Sequence, residues 1–172
     1  VFDTAFHQSI PEERYIYALP YRYYTDYKVR RYGAHGTSHK YIASVVKELV
    51  GKDEYKAIIC HLGSGGSLSA VVNGKCIDTS MGFTPLPGIM MGTRPGDIDP
   101  SIITYIANKE KKSVDEVMND LNKKSGFLGL TEKYSDFRDV YAGVEAGEEK
   151  CKLAFDKYVK TKLSFKVDPK MK

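Results

Sequence analysis

The sequence predicts an α/β layer protein, on three observations. Apolar residues recur at helical spacing after Ser38, switch to strand-like runs over 55–79, and return to helical spacing after Asp99. Within the strand-like part, Asn73-Gly74 supplies a two-residue hairpin turn. The chain has 172 residues, 42% of them hydrophobic and 28% charged, which suits an ordinary globular protein with a real core.

Each element has a local cause. Val1-Phe2-Asp3 reads as the end of a buried strand, with an acid where α/β sheets handle ligands, or simply as a capping Asp. Pro11-Glu12-Glu13 opens a helix, with Pro in the first turn and acids near the positive end of the dipole. Tyr15, Tyr17, Tyr21, Tyr23, Tyr24, Tyr27 and Tyr32 are expected to pack this segment onto the body. From Ser38, the residues Tyr41, Ile42, Val45, Val46, Leu49 and Val50 mark an amphipathic helix that Gly51 ends. Tyr55–Leu62 reads as a buried strand, Ser67–Val72 as a second and Lys75–Thr79 as a third.

Helices then return. Asp99-Pro100 is an N-cap followed by Pro in the first position. Ser113 and Glu116 form a capping box, and Asp136 is an N-cap. A last helix runs from about Glu148 through Phe155 and Tyr158. Much of the net charge of +4 lies past Glu148, on lysines that include Lys150, Lys152, Lys157, Lys160, Lys166, Lys170 and Lys172. They read as a solvated helix face, because no aromatic platform or nucleic-acid motif accompanies them. No apolar run approaches the roughly 20 residues that span a bilayer. Cys60, Cys76 and Cys151 form no CxxC pair and no secretory segment is visible, which predicts reduced thiols and a cytoplasmic location.

The most informative stretch is Asp78–Pro100, DTSMGFTPLPGIMMGTRPGDIDP. Its Gly and Pro density sets backbone geometry and fills no core. Arg94 is its one cation, between Gly92-Thr93 and Pro95-Gly96, with Asp97 and Asp99 following. Such an arginine pairs with a neighbouring acid or offers a fixed fork to an anion. His61-Leu62-Gly63-Ser64-Gly65 lies at a strand-to-strand turn, where glycines let N–H groups face outward into a phosphate-sized nest or merely make the turn. No Gly-Lys-Ser/Thr follows, so this is not a Walker A loop. His35 and His39 are four apart just before a helix, but no HExxH glutamate accompanies them, and His35 suits hydrogen bonding to an oxyanion better than zinc.

Together these pieces resemble the acetate kinases, in the acetate and propionate kinase group of the actin-like/sugar-kinase/Hsp70 ATPase superfamily. The carrying residues are VFDTAFH at 1–7, RRYGAHGTSHKY at 30–41, CHLGSGGS at 60–67, the 78–100 block, LNKKSGFLGL at 121–130 and SDFRD at 135–139. The resemblance runs from residue 1 to about 160. It implies a ribonuclease-H-like domain, a mixed sheet with hairpin flanked by helices, and an incomplete one. Residues 1–6 would be the last strand of a first kinase domain, and 7–172 part of a second with its three-strand core at about 55–79.

The implied activity is reversible, in-line transfer of the ATP γ-phosphoryl to acetate or another short carboxylate, giving acetyl phosphate and ADP with Mg²⁺. The implied catalytic residues are Asp3, His35 and Arg94. His61, Leu62, Gly63, Ser64 and Gly65 would form the phosphate hairpin, and Asp136, Phe137 and Arg138 would border the nucleotide. Ala34 and Pro85 would line the acyl pocket, and no residue of this chain is assigned to the metal. Homodimers are implied for the complete enzyme, with no nucleic-acid or membrane partner. Three departures qualify the match. Segments for the adenosine, the metal and the first domain are absent, so the chain alone is expected to be inactive. Ser64 stands where the family usually has Asn, which leaves the phosphoryl donor open. Ala34 stands for a family Phe, which makes room for propionate. The alternatives are a propionate kinase and a non-catalytic nucleotide-binding or assembly fragment.

Overall fold

The computed structural model describes residues 2–163. The chain divides into two compact units, one of residues 2–62 and 67–88, the other of 63–66 and 89–163.

In the first unit the chain opens with a turn. Phe2 is 85% exposed, its carbonyl accepts the Ala5 N–H, and Ala5–Ser9 is a 3-10 helix. The strand expected over 1–6 is therefore not formed by the described residues 2–6, and Val1 lies outside them. The reason is local: Asp3 turns both its carbonyl and its carboxylate onto the backbone N–H groups that start the next long helix. Two single-turn helices follow, α1 (Glu12–Tyr15) and α2 (Arg22–Thr25). Several tyrosines pack as expected, with the Tyr15 and Tyr24 hydroxyls 2.9 Å apart and the Arg30 guanidinium 3.6 Å above the Tyr15 ring. Tyr21 and Tyr27, in contrast, are exposed.

Helix α3 spans Gly36–Val50 and ends on Gly51 at φ +64, the left-handed cap that glycine adopts without penalty. Its buried face differs from the expected one. His39 and Ala43 are buried, whereas Tyr41, Ile42, Leu49 and Val50 are exposed. Ala43 packs with Tyr55, Ile59 and Val71 beside Phe6, Val46 and Ala57, and each large apolar side chain so buried contributes roughly 1.5–3 kcal/mol.

Ala57, Ile59 and Val71 come from a three-stranded sheet in the order β1 (Lys56–Leu62), β2 (Gly66–Val72), β3 (Lys75–Thr79). Strands β2 and β3 are antiparallel, with Val72 opposite Lys75 and an irregularity between Ala70 and Val71. Asn73 and Gly74 both have positive φ, as the hairpin turn requires. Strand β2 is buried along almost its whole length. Strand β1 is not the buried strand expected: it lies at the sheet edge, with Ile58, Cys60 and Leu62 exposed and Ile59 buried.

The second unit is helical beyond its loops. Helix α4 (Ser101–Glu110) begins where the Asp99 carboxylate accepts the Ser101 N–H at 2.8 Å, so Asp99 caps it with Pro100 as the flanking residue. Helix α5 (Val114–Lys123) has the reciprocal Ser113–Glu116 capping box. Helix α6 (Gly126–Thr131) precedes α7 (Phe137–Glu145), capped by Asp136, and α8 (Glu149–Leu163). These last three pack through Phe127, Phe137, Phe155 and Tyr158, with ring centroids 5.0–5.9 Å apart, over buried Val140, Cys151 and Ala154. Lys150, Lys152, Lys157 and Lys160 are exposed on α8, as a solvated face requires. Lys166, Lys170 and Lys172 lie outside the described residues.

Candidate active site

In the first unit the site is built of side chains. His35 precedes α3 at φ +59, a left-handed conformation that costs a non-glycine residue free energy. Asp3 holds it there. Its Oδ2 accepts the His35 N–H at 2.6 Å, its Oδ1 the Thr37 N–H at 3.4 Å, and its carbonyl the Gly36 N–H at 2.7 Å. An anion is well placed at a helix start, so Asp3 acts structurally as the α3 cap whatever else it does.

Around His35 the chain gathers all four of its histidines. The His61 ring stacks on His35 at 4.0 Å and its Nδ1 lies 2.9 Å from the Ser38 hydroxyl. The Ser67 hydroxyl sits between His35 Nδ1, at 2.9 Å, and His39 Nε2, at 2.7 Å. His7 Nε2 lies 3.0 Å from the Ala34 carbonyl, and its Nδ1 3.2 Å from Cys76 Sγ. Burial, then the neighbouring histidines His7, His61 and His35, push His39 down to about 3. Burial also lowers His7, and pushes the Cys76 thiol up to about 12. Sequence reasoning missed the parts played by Ser67 and His39. The four-residue spacing of His35 and His39 is the signal in the sequence that could have found them.

In the second unit the site is built of backbone. The Arg94 loop gives its carbonyls to the start of α6: Met91 O accepts the Phe127 N–H, Gly92 O the Leu128 N–H, and Thr93 O the Ser125 N–H, at 2.9–3.0 Å. Helix N-termini leave such N–H groups without intrahelical partners, and here the loop supplies them. Arg94 O accepts from Met91 N, which closes the loop on itself. Arg94 is half-buried, and burial pulls its guanidinium below the usual arginine value, though an arginine stays charged.

The same unit joins two other expected pieces to this loop. Gly92 N–H donates to the Ser64 carbonyl at 3.0 Å, and a Cβ on Gly92 would lie 2.8 Å from the Ser135 carbonyl. The hairpin tip, the Arg94 loop and the Ser135–Arg138 segment thus meet. Two details define these segments. Gly63 N–H donates inward to Gly65 O, so it does not face an outward nest. Asp136 caps α7 and also takes both Nε and Nη2 of Arg138, at 3.0 and 2.8 Å, which holds its carboxyl down at about 2. Phe137 lies in the aromatic packing of α6, α7 and α8. Ser64 is exposed. Of the expected acyl-pocket residues, both in the first unit, Ala34 is buried and Pro85 is exposed. Among the described residues no group of three His, Cys, Asp or Glu side chains is arranged to hold a metal ion. None is long and apolar enough, as a helix, to cross a membrane.

Comparison with known proteins points one way. The Acetokinase family profile matches residues 1–166. An acetate kinase of Lachnoclostridium phytofermentans is 58% identical over 156 residues, which are 90% of this chain and 40% of that protein. One of Treponema denticola is 55% identical over 158 residues, 91% of this chain and 40% of the relative. Among solved structures, Porphyromonas gingivalis acetate kinase superposes with a TM-score of 0.88 at 44% identity, covering 92% of this chain and 40% of that one. A propionate kinase of Francisella tularensis gives 0.89 at 44%, covering 96% and 45%. The chain thus has the fold of part of these kinases, and spans about 40% of the length of the curated relatives.

Proposed function

The chain belongs to the Acetokinase family, and from that premise we propose that its residues serve reversible phosphoryl transfer between ATP and acetate. The observation that supports this reading best is the Arg94 loop. A partly desolvated guanidinium stands on a loop whose carbonyls are tied to α6 and which is bonded to the hairpin tip at Ser64. Transfer of a phosphoryl group demands little covalent chemistry from the protein. It demands positioning and neutralisation of charge on the moving oxygens. Arg94 supplies the positive fork, and its backbone clamp fixes the point from which that side chain reaches.

In the first unit His35 donates a hydrogen bond to the transferring group, and Asp3, besides fixing the His35 backbone, orients the acceptor carboxylate. The hairpin tip at Gly63–Gly65 borders the donor phosphates, and the Asp136–Arg138 pair borders the nucleotide. Mg²⁺ bound with the nucleotide would neutralise phosphate charge, held chiefly by the phosphates, water and one or two carboxylates. Complete enzymes of this kind are taken to be homodimeric and cytoplasmic. Ala34 carries the second reading, in which propionate is accepted nearly as well as acetate.

The test is Arg94→Ala and Arg94→Lys in the full-length gene product, with acetyl phosphate as the readout. The expected loss in kcat is about 10²–10³-fold for alanine, as for other donors aimed at a developing charge. Lysine, which lacks the planar fork, is expected to recover little. A kcat within a few-fold of the parent in Arg94→Ala would remove the arginine from the mechanism.

A further inference from the structure

We propose that Ser67 and His39 are positioning residues that hold His35 as a neutral imidazole with its proton on Nε2. That His35 meets a phosphoryl group rests on the reading above; the proton arrangement does not.

The argument is one of counting protons. The Ser67 hydroxyl has one hydrogen to give and lone pairs to accept with. Two ring nitrogens lie within hydrogen-bond range of its oxygen, His35 Nδ1 and His39 Nε2. Only one of them can receive the hydroxyl proton, so the other must donate. His39 decides which. Its ring is fully buried, and among the described residues its Nδ1 has no hydrogen-bond partner. If Ser67 donated to His39 Nε2, the neutral His39 would carry its proton on Nδ1, as a buried N–H with nothing to accept it. Orphaned buried N–H groups are rarer and less tolerated than under-satisfied acceptors. The proton therefore sits on His39 Nε2 and is donated to Ser67 Oγ. Ser67 then donates to His35 Nδ1, and the proton of a neutral His35 is left on Nε2.

The chain of donors also opposes the imidazolium. A protonated His35 would present an N–H from Nδ1 to Ser67, which would reverse the hydroxyl and return the orphan proton to His39 Nδ1. Other groups face His35 as well. The Asp3 carboxylate, on the N-terminal turn, favours the cation. His61, on β1, stacks on the ring, and His7 lies behind His39 with ring centroids 5.8 Å apart. None of these changes in the variants below, so differences among the variants isolate the relay. For a group that must donate to phosphoryl oxygens in both directions of a reversible transfer, a fixed Nε2–H is the useful state. It donates without the desolvation cost of a buried cation.

Nitrogen-15 NMR of histidine-labelled protein reads the ring nitrogens directly. The expected result near pH 7.5 is a pyridine-type Nδ1 and a protonated Nε2 on both His35 and His39. In Ser67→Ala the titration midpoint of His35 is expected to rise by about one pH unit, the equivalent of one ordinary hydrogen bond. His39→Leu should do the same. His39→Gln, whose amide N–H can still donate to Ser67, should stay near the parent. A protonated Nδ1 on parental His35 overturns the proposal, and so does an unmoved His35 midpoint in Ser67→Ala. If His39→Leu fails to fold, the parental tautomer and Ser67→Ala still decide. The outcome is separable from the kinase reading: a full-length protein that makes no acetyl phosphate leaves these ring nitrogens as they are, and a failed tautomer test leaves phosphoryl transfer intact.

Discussion

The histidine cluster and the arginine loop are fixed by opposite means. In the first unit, His35 is held by an acid from the N-terminal turn, a serine from β2 and a stacked ring from β1. Side chains carry that geometry, and beside them lies the buried imidazole of His39, which burial and its neighbours push down to about 3. In the second unit, Arg94 is held by peptide groups of residues 91–94 and 125–128, which titrate at no accessible pH. The first arrangement is tunable and acid-sensitive; the second is rigid and vulnerable only where the backbone must pass close to itself.

The largest effect should come from attacking the second arrangement at Gly126. Its φ is +63, and a Cβ there would run into the Met91 carbonyl and lie 2.8–2.9 Å from Arg94 O and N. Gly126→Ala therefore combines left-handed strain with a clash against backbone, together about 3 kcal/mol or more. Hydrogen exchange at the Ser125, Phe127 and Leu128 amides is expected to accelerate by roughly a hundredfold. The His35–Ser67–His39 contacts of the first unit should be unaffected. Protection retained at those three amides would show that the loop is not held by its backbone ladder.

Acid should break the comparison the other way. His39 has a folded value near 3 and an unfolded one near 6.5, so below pH 6.5 the unfolded chain takes up a proton that the folded chain refuses. The stability this burial supports is present above pH 6.5 and is lost as pH falls toward 3. His7, lowered for the same reason, adds in the same direction. The first unit should lose about 2–3 kcal/mol between pH 6.5 and 4 from His39 alone. The second unit responds lower. Asp136, held at about 2 by Arg138, and Asp120, held at about 2 by Lys112 and Lys124, lose their contributions only as pH falls below their ordinary range toward 2. Amide exchange measured across pH 4–7 should therefore show loosening around Ala43 and Val71 before Val140. Simultaneous loosening would mean that the histidines are not what makes the first unit acid-sensitive.

What the sequence disclosed follows the same division. Signals written in a few adjacent residues were legible: the Ser113–Glu116 capping box, the Asn73-Gly74 turn, the Gly51 stop, the Asp136 cap. The Arg94 loop was legible as a loop because Gly and Pro at that density permit little else. The clamp on it was not, because its donors are main-chain N–H groups of Ser125, Phe127 and Leu128, and any residue but proline supplies those. The Ser67 relay was hidden for another reason. Its members come from α3 and β2, and a serine in a Gly/Ser-rich turn looks like turn chemistry. The turn at Phe2 and Asp3 was not legible, because Asp3 is drawn into it by amides some thirty residues away. The continuous apolar run of strand β1 implies burial, but its place at the sheet edge leaves Ile58 and Leu62 exposed.

The smallest effect expected is also the one most specific to side chains. Ala34 is buried in the first unit, and its carbonyl, which accepts from His7 Nε2, is unaffected by what its Cβ carries. Ala34→Phe should leave that hydrogen bond in place while filling space beside the acceptor. One methylene of acyl chain is worth about 0.8 kcal/mol when buried. Losing room for it should shift the propionate-to-acetate ratio of kcat/KM in the full-length protein about fourfold toward acetate. The ratio is the right readout because a ring in a buried position also risks overpacking, at about 1–3 kcal/mol. A reduced folded fraction lowers both kcat/KM values equally and cancels. Falling thermal stability with an unchanged ratio would place Ala34 in the packing of the first unit and outside the acyl pocket. A changed ratio without loss of stability would place it in the pocket.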